Sequence, residues 1–307
     1  GATMTLRHMK IFLAVCNCHC NTTQAAAALH MTQPAVSLAI QELETYYGVR
    51  LFDRIGRRLK LTAAGEQFQA YAGHIAQLFA DMELQLRNGE KFGPLRVGAS
   101  ITIGAQFLPS YVKTFVELHP GAQIQASIGP SEGLEEKLLD NTLDFALMEG
   151  TVHGQALVAE PYMMDHLTVI CPANGPFTPG QCLTQKEFRQ QQFLLREKGS
   201  GTREEFDRAV EAAGFSVEPI WEATSTTALV NGVISGIGIA VLPQRMVLGP
   251  LERGLVIPVQ VEGLRFCRRF YIVYHKDKFL SPLAKDFLEL CRNYEMDYPM
   301  PQYNGLF

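Results

Sequence analysis

No apolar run in this 307-residue sequence approaches the roughly 18–20 residues that a membrane span needs, and no signal peptide opens it. Seven cysteines, an odd number in a chain this long, make a poor disulfide framework, so reduced thiols and a cytoplasmic setting are expected. The Cys-x-x-Cys spacing of structural zinc sites is missing from Cys16-x-Cys18-His19-Cys20. Cys16 and Cys20 instead stand one helical turn apart, which suits buried thiols and no metal. A Gly-x-Ser-x-Gly nucleophile elbow is also lacking, because Gly199-Ser200-Gly201 has the wrong spacing. Nor is there an excess of basic charge: the net charge is −4, which by itself argues against a nucleic-acid binder. What is present is an ordinary globular balance, 47% hydrophobic and 19% charged, with room for two or three domains.

The charge is unevenly spread. Residues 1–65 hold seven Lys or Arg against three acids, whereas residues 93–307 hold 18 basic against 24 acidic residues. A small basic module on a larger acidic body is the implication. In the basic part, Leu6–Val15 has helical apolar spacing, and an Ala-rich helix begins at Thr22 or Thr23. Leu29-His30-Met31 breaks it. Thr32 can then cap a third helix with Pro34 in its first turn, ending at Gly48. Its predicted inward face is Ala35, Val36, Ile40, Leu43 and Tyr47, and its outward face is Gln33, Ser37, Gln41 and Glu44. Two short helices about a tight turn make a helix-turn-helix. Residues 49–62 follow as a basic hairpin, or wing, around Gly56.

Residues 62–89 read as one long helix with Phe68, Ile75 and Met82 seven apart, and Ala72, Phe79 and Leu86 likewise. Such a seam suits pairing with a second helix. Beyond Phe92-Gly93-Pro94 strands alternate with helices: strand 95–99, helix 104–118, strand 123–128, helix 131–141 and strand 143–148. A second set follows with strand 167–171, strand 193–196, helix 203–213, strand 219–223, helix 226–235 and strand 237–242. Strand 270–274 and helix 282–292 close the chain. That alternation predicts an α/β body of two doubly wound lobes with a ligand cleft between them.

Recognition of bases in the major groove falls to Gln33, Ser37 and Gln41, with Thr32 and Pro34 at the entry. Arg54, Arg57 and Arg58 on the wing suit phosphate or minor-groove contact. In the body, Ser100 and Thr102 precede one helix, and Ser200, Gly201 and Thr202 begin another. Free N–H groups and hydroxyls at two helix starts make an anion site, or else are plain caps. Glu149 complicates an anion site. It could bind an ammonium group, accept a proton from the ligand, or pair with Arg203 or Arg196.

Ala25-Ala26-x-x-Leu29-His30-x-Thr32-Gln33-Pro34-Ala35-Val36-Ser37-x-x-Ile40-x-x-Leu43-Glu44, with Gly48, Leu51-Phe52-x-Arg54 and Leu61-Thr62-x-Ala64-Gly65, resembles the LysR-type transcriptional regulators without a gap. The resemblance implies a winged helix-turn-helix over 4–62, a dimerising linker helix over 63–92, and a periplasmic-binding-protein-like effector domain over 93–307. One lobe would span about 93–161 plus 269–307, the other about 162–268. It further implies a homodimer or homotetramer, double-stranded promoter DNA and RNA polymerase as partners, a small effector, no cofactor and no catalysis. Gly98-Ala99-Ser100-x-Thr102-Ile103-Gly104, Glu149-Gly150 and Arg196-Glu197-x-Gly199-Ser200-Gly201-Thr202-Arg203 are most similar to regulators of sulfur and inorganic-carbon assimilation. A sulfur oxyanion or carboxylate effector is the expectation; a cytosolic small-molecule binder or an enzyme using the Ser200/Thr202 cleft is the alternative.

Overall fold

The structure, a computed structural model, describes residues 4–55, 58–88 and 93–294. The chain divides into two compact units, Gly1–Gly93 with Leu139–Thr142, and Pro94–Leu138 with Leu143–Phe307.

The first unit opens with α1 (Leu6–Asn17) and α2 (Thr22–Ala28). α2 begins at Thr22 as expected, and Asn21 caps it, its side chain accepting from the N–H groups of Thr23 and Gln24. His30 then takes a positive φ of 53° and turns the chain. α3 (Gln33–Tyr47) starts after Thr32, which sits at the cap position but whose hydroxyl makes no capping bond. Gly48 ends α3 in the left-handed conformation, φ 66°, where a side chain would be strained. Val36, Ala39, Ile40 and Leu43 form the buried stripe of α3. Ala35 is only half-buried and Tyr47 is exposed, contrary to the expected inward face. β1 (Phe52–Ile55) and β2 (Arg58–Leu61) pair antiparallel as the wing, and the Gly56-Arg57 tip lies outside the described residues. The Glu44 carboxylate holds the wing's entry by accepting from Leu51 and Phe52 N–H at 2.8 and 3.1 Å.

α4 (Ala63–Asn88) begins where the Thr62 hydroxyl accepts from Gly65 N–H at 3.0 Å. Phe12 ties the unit together: it is fully buried, edge-on to Phe68 of α4 and tilted against Phe52 of β1. Truncating such a residue costs about 3–5 kcal/mol.

In the second unit, β3 (Leu95–Ala99), β4 (Ile124–Ile128) and β5 (Phe145–Glu149) run parallel in the order β4-β3-β5. The helix predicted over 104–118 is two helices, α5 (Ile101–Gln106) and α6 (Leu108–Leu118). Pro109 explains the break, since it has no N–H to continue the ladder and its ring opposes the preceding turn. α7 (Ser131–Leu139) crosses between β4 and β5.

β6 (Leu157–Pro172) was visible in the sequence only over 167–171. Its first part carries Pro161, which ordinarily argues against a strand. The ladder absorbs it with a bulge: Phe270 pairs with Met163 and Tyr271 with Pro161. Then come β7 (Cys182–Leu183), α8 (Gln185–Arg189), β8 (Leu194–Arg196), α9 (Gly201–Ala212), β9 (Trp221–Ala223) and α10 (Thr226–Ile234). β10 (Ala240–Pro243), α11 (Gln244–Glu252), β11 (Val256–Val261), β12 (Cys267–His275) and α12 (Pro282–Asn293) complete the order.

β6 and β12 are the joint between two lobes. Residues 157–166 of β6 pair with β12, which also pairs antiparallel with β5, while residues 167–172 pair with β10 and β11. One core lies around Tyr111, Phe115, Phe145, Phe270 and Phe287, and another around Phe188, Phe193, Phe206 and Phe266.

Candidate functional site

On the first unit Thr32, Gln33, Pro34 and Gln41 are exposed and Ser37 is half-buried. Gln33 is held in place before any ligand arrives, its amide donating to Ser37 Oγ at 2.7 Å and Thr22 Oγ1 at 3.2 Å. Such a braced amide has little freedom left to lose on contact with a ligand. Arg54 is exposed on β1 opposite Leu59. Arg57 lies outside the described residues, and Arg58 pairs with Ile55 across the wing. Cys16, Cys18 and Cys20 pack on the module's core, and burial pushes the Cys16 thiol up to about 12, with Cys20 adding to it. It remains a neutral packing group.

In the second unit the two hydroxyl turns meet. Arg268 of β12 donates to Thr202 Oγ1 at 2.9 Å and to Thr102 Oγ1 at 3.1 Å. The same guanidinium pairs with Glu149 Oε1 at 3.2 Å and with Asp165 Oδ2 at 2.8 Å. Thr102 donates its own proton to Glu149 Oε1 at 3.3 Å. All five residues are buried. One cation thus faces two carboxylates away from water. Burial pushes the Asp165 carboxyl above its ordinary value, with Arg268 opposing that rise.

Gly201, the first residue of α9, packs on Glu149: a Cβ there would lie 2.7 Å from Glu149 Cγ. Glycine at that point lets the lobes close. Ser200 acts as a cap, accepting from Arg203 N–H at 3.3 Å. Ser100 precedes the short α5, buried, with its hydroxyl unpartnered among the described residues. Glu149 pairs with neither Arg203 nor Arg196, correcting those two options. Arg203 is taken by Asp207 and Glu222, and Arg196 by its neighbour Glu197. Arg203 also donates to the Arg196 carbonyl at 3.1 Å, so both arginines are held within their own lobe.

Arg268 and Asp165 escaped the sequence reading. The available signal was alternation: on β12, Arg268, Phe270 and Ile272 share the buried face while Arg269 points to solvent. A charge on the inward register of an apolar strand marks a site. Further buried polar atoms without a partner among the described residues are Arg196 Nη1, Thr226 Oγ1 and both side-chain polar atoms of Gln244. With Ser100 Oγ and Glu149 Oε2 they lie where strands end or the next helix begins, the crevice where open α/β sheets bind ligands. A separate cavity of about 730 Å³ opens on the second lobe between β6, β11 and α9, lined by His166, Arg208, Arg265 and Cys267 among others.

Residues 6–66 match the bacterial regulatory helix-turn-helix protein of the lysR family, and residues 88–295 match the LysR substrate binding domain. The chain belongs to the LysR family of transcriptional regulators. It is 32% identical over 288 residues to the RuBisCO operon transcriptional regulator of Allochromatium vinosum, covering 93% of this chain and 95% of that one. In fold it is similar to a full-length OxyR variant from Pseudomonas aeruginosa, with a TM-score of 0.66, 21% identity and 94% of both chains covered. It is also similar to the CcmR regulatory domain of Synechocystis PCC6803 in complex with 2-PG, with a TM-score of 0.60 and 23% identity, covering 65% of this chain and 96% of that one. As a LysR-family member the chain is a DNA-binding transcription regulator with an effector-binding domain, not an enzyme. Among the described residues no helix is long and apolar enough to cross a membrane.

Proposed function

We propose that this LysR-family regulator senses a small anion in the cleft between its two lobes and alters promoter binding in response. The observation that carries the reading is Arg268 holding Thr102 and Thr202, one from each lobe, through a single guanidinium. A ligand that competes for that guanidinium changes how the lobes meet, because its present partners come from both. Ser100, Glu149, Ser200 and Gly201 frame the same place. The 2-PG complex of the CcmR regulatory domain supports a small effector in this fold.

Promoter DNA would be read by Thr32, Gln33, Pro34, Ser37 and Gln41, with Arg54, Arg57 and Arg58 on the backbone. Homodimers would form through α4 and pair into tetramers in the cytoplasm, and the regulator would act on RNA polymerase. The proposed limits are 4–62 for DNA binding, 63–92 for the linker and 93–307 for the effector domain. Calorimetry with sulfate, thiosulfate, phosphate and small carboxylates tests the anion reading. Binding that weakens in Thr202→Val and Thr102→Val supports it; the absence of binding by every anion counts against it.

A further inference from the structure

The Glu149 carboxylate is 3% exposed, and its two oxygens have different surroundings. Oε1 meets Arg268 and the Thr102 hydroxyl, while Oε2 has no partner among the described residues. Around it the ionisable groups are Arg268 on β12, Asp165 and Tyr162 on β6, and Glu204 on α9, whose carboxylate takes the Thr151 N–H next to Gly150. Arg268 is the cation that pairs with Glu149, and Asp165 already shares it; Arg245 on α11 couples to Asp165 as well. An anion that takes the Arg268 and threonine contacts therefore comes to rest beside a buried carboxylate with an open acceptor oxygen. Two acceptors forced together without a proton repel and leave both desolvated. An anion carrying its own O–H donates to Oε2, turning that repulsion into a short charge-assisted hydrogen bond.

We infer that Glu149 makes the inter-lobe site selective for oxyanions that bear a proton, phosphoryl groups above all, over fully ionised ones of the same shape such as sulfate. This rests on the proposed anion-binding role of the cleft. Among sulfur oxyanions it counts against sulfate, which near neutral pH has acceptors only.

Phosphate and sulfate are matched in size, so their comparison isolates the proton. Calorimetry on the full chain should find inorganic phosphate binding about tenfold more tightly than sulfate. Glu149→Gln, whose amide can donate, should raise sulfate affinity to within about threefold of phosphate. Methyl phosphate provides a second arm that needs no variant: a phosphate monoester loses its last proton near about pH 6, so its binding should fall about tenfold between roughly pH 5.5 and 8. Inorganic phosphate, which still bears a proton at the upper pH, should fall less. If Glu149→Gln does not fold, the methyl phosphate series decides alone. Equal binding of phosphate and sulfate by the parent, an unchanged ratio in Glu149→Gln, or a pH-independent methyl phosphate affinity overturns the selectivity and leaves the anion site standing. If neither anion binds the folded parent or the folded variant, the anion reading falls with it.

Discussion

Arg268 lies 2.9 Å from the hydroxyl of Thr202, a residue 66 positions earlier in the chain. The same guanidinium reaches Thr102, 166 positions away. A contact of this kind makes closure of the lobes depend on what else the guanidinium can bind. The buried trio of Arg268, Glu149 and Asp165 keeps it costly to remove and responsive to charge.

Thr202→Val retains the shape and removes the hydroxyl. A hydrogen bond to a charged group contributes about 1.5–3 kcal/mol, so effector affinity should fall roughly 10- to 150-fold while the fold persists. Calorimetry beside a thermal melt measures both. Full affinity in the variant would leave Thr202 as packing only.

Arg268→Leu should be far more damaging, because it strands two buried carboxylates. Breaking a buried pair costs about 3–5 kcal/mol. Denaturant unfolding should show that loss, and Glu149→Gln in the same chain should recover part of it. A double variant no more stable than Arg268→Leu alone would mean that the carboxylate is not the source of the penalty.

Two aspartates, buried Asp165 and half-buried Asp144, should shape the pH dependence with opposite sign. Asp165 is raised by burial against the pull of Arg268, so its share of stability is present at low pH and is lost as pH rises through its folded value. For Asp144, burial is outweighed by Arg96 and Lys278, and its carboxyl is lowered. Its share is present above the unfolded value and lost as pH falls through the folded one. Thermal melts over about pH 3 to 8 should show Asp165→Asn flattening the decline on the higher side and Asp144→Asn the decline on the acid side. Profiles identical to the parent would sink both assignments.

In the DNA-binding unit, Gln33→Ala should weaken operator binding by about 1–3 kcal/mol and random DNA much less. Arg54→Ala should weaken both alike and lower the salt slope by about one. Titrations at several salt concentrations on both DNAs separate the two. Equal losses on both for Gln33→Ala would remove it from base readout.

Ile75, Phe79, Met82 and Leu86 of α4 are exposed in the single chain, an apolar face that a second helix would cover. Aspartates at Ile75 and Phe79 should dissociate the oligomer, since burying unpaired charge is costly. Sedimentation of a folded variant with the parent's mass would exclude this seam.

Local physics was legible in the sequence. The turn at Leu29-His30-Met31, the end of α3 at Gly48 and the start of α4 beside Thr62 follow from spacing, glycine and hydroxyl caps within a few residues of each other. The hydroxyl-bearing starts at Thr102 and Thr202 were legible for the same reason. Pro109 also carried its signal, although the split it imposes on the helix was not read from it. Only the tertiary structure decided what those hydroxyls face. Arg268 sits on the first residues of β12, which the sequence did not reveal, and Asp165 on a stretch of β6 that Pro161 disguised. Their partnership with Glu149 depends on strand order and register across more than 100 residues, and no local propensity encodes which distant charge a buried arginine will meet.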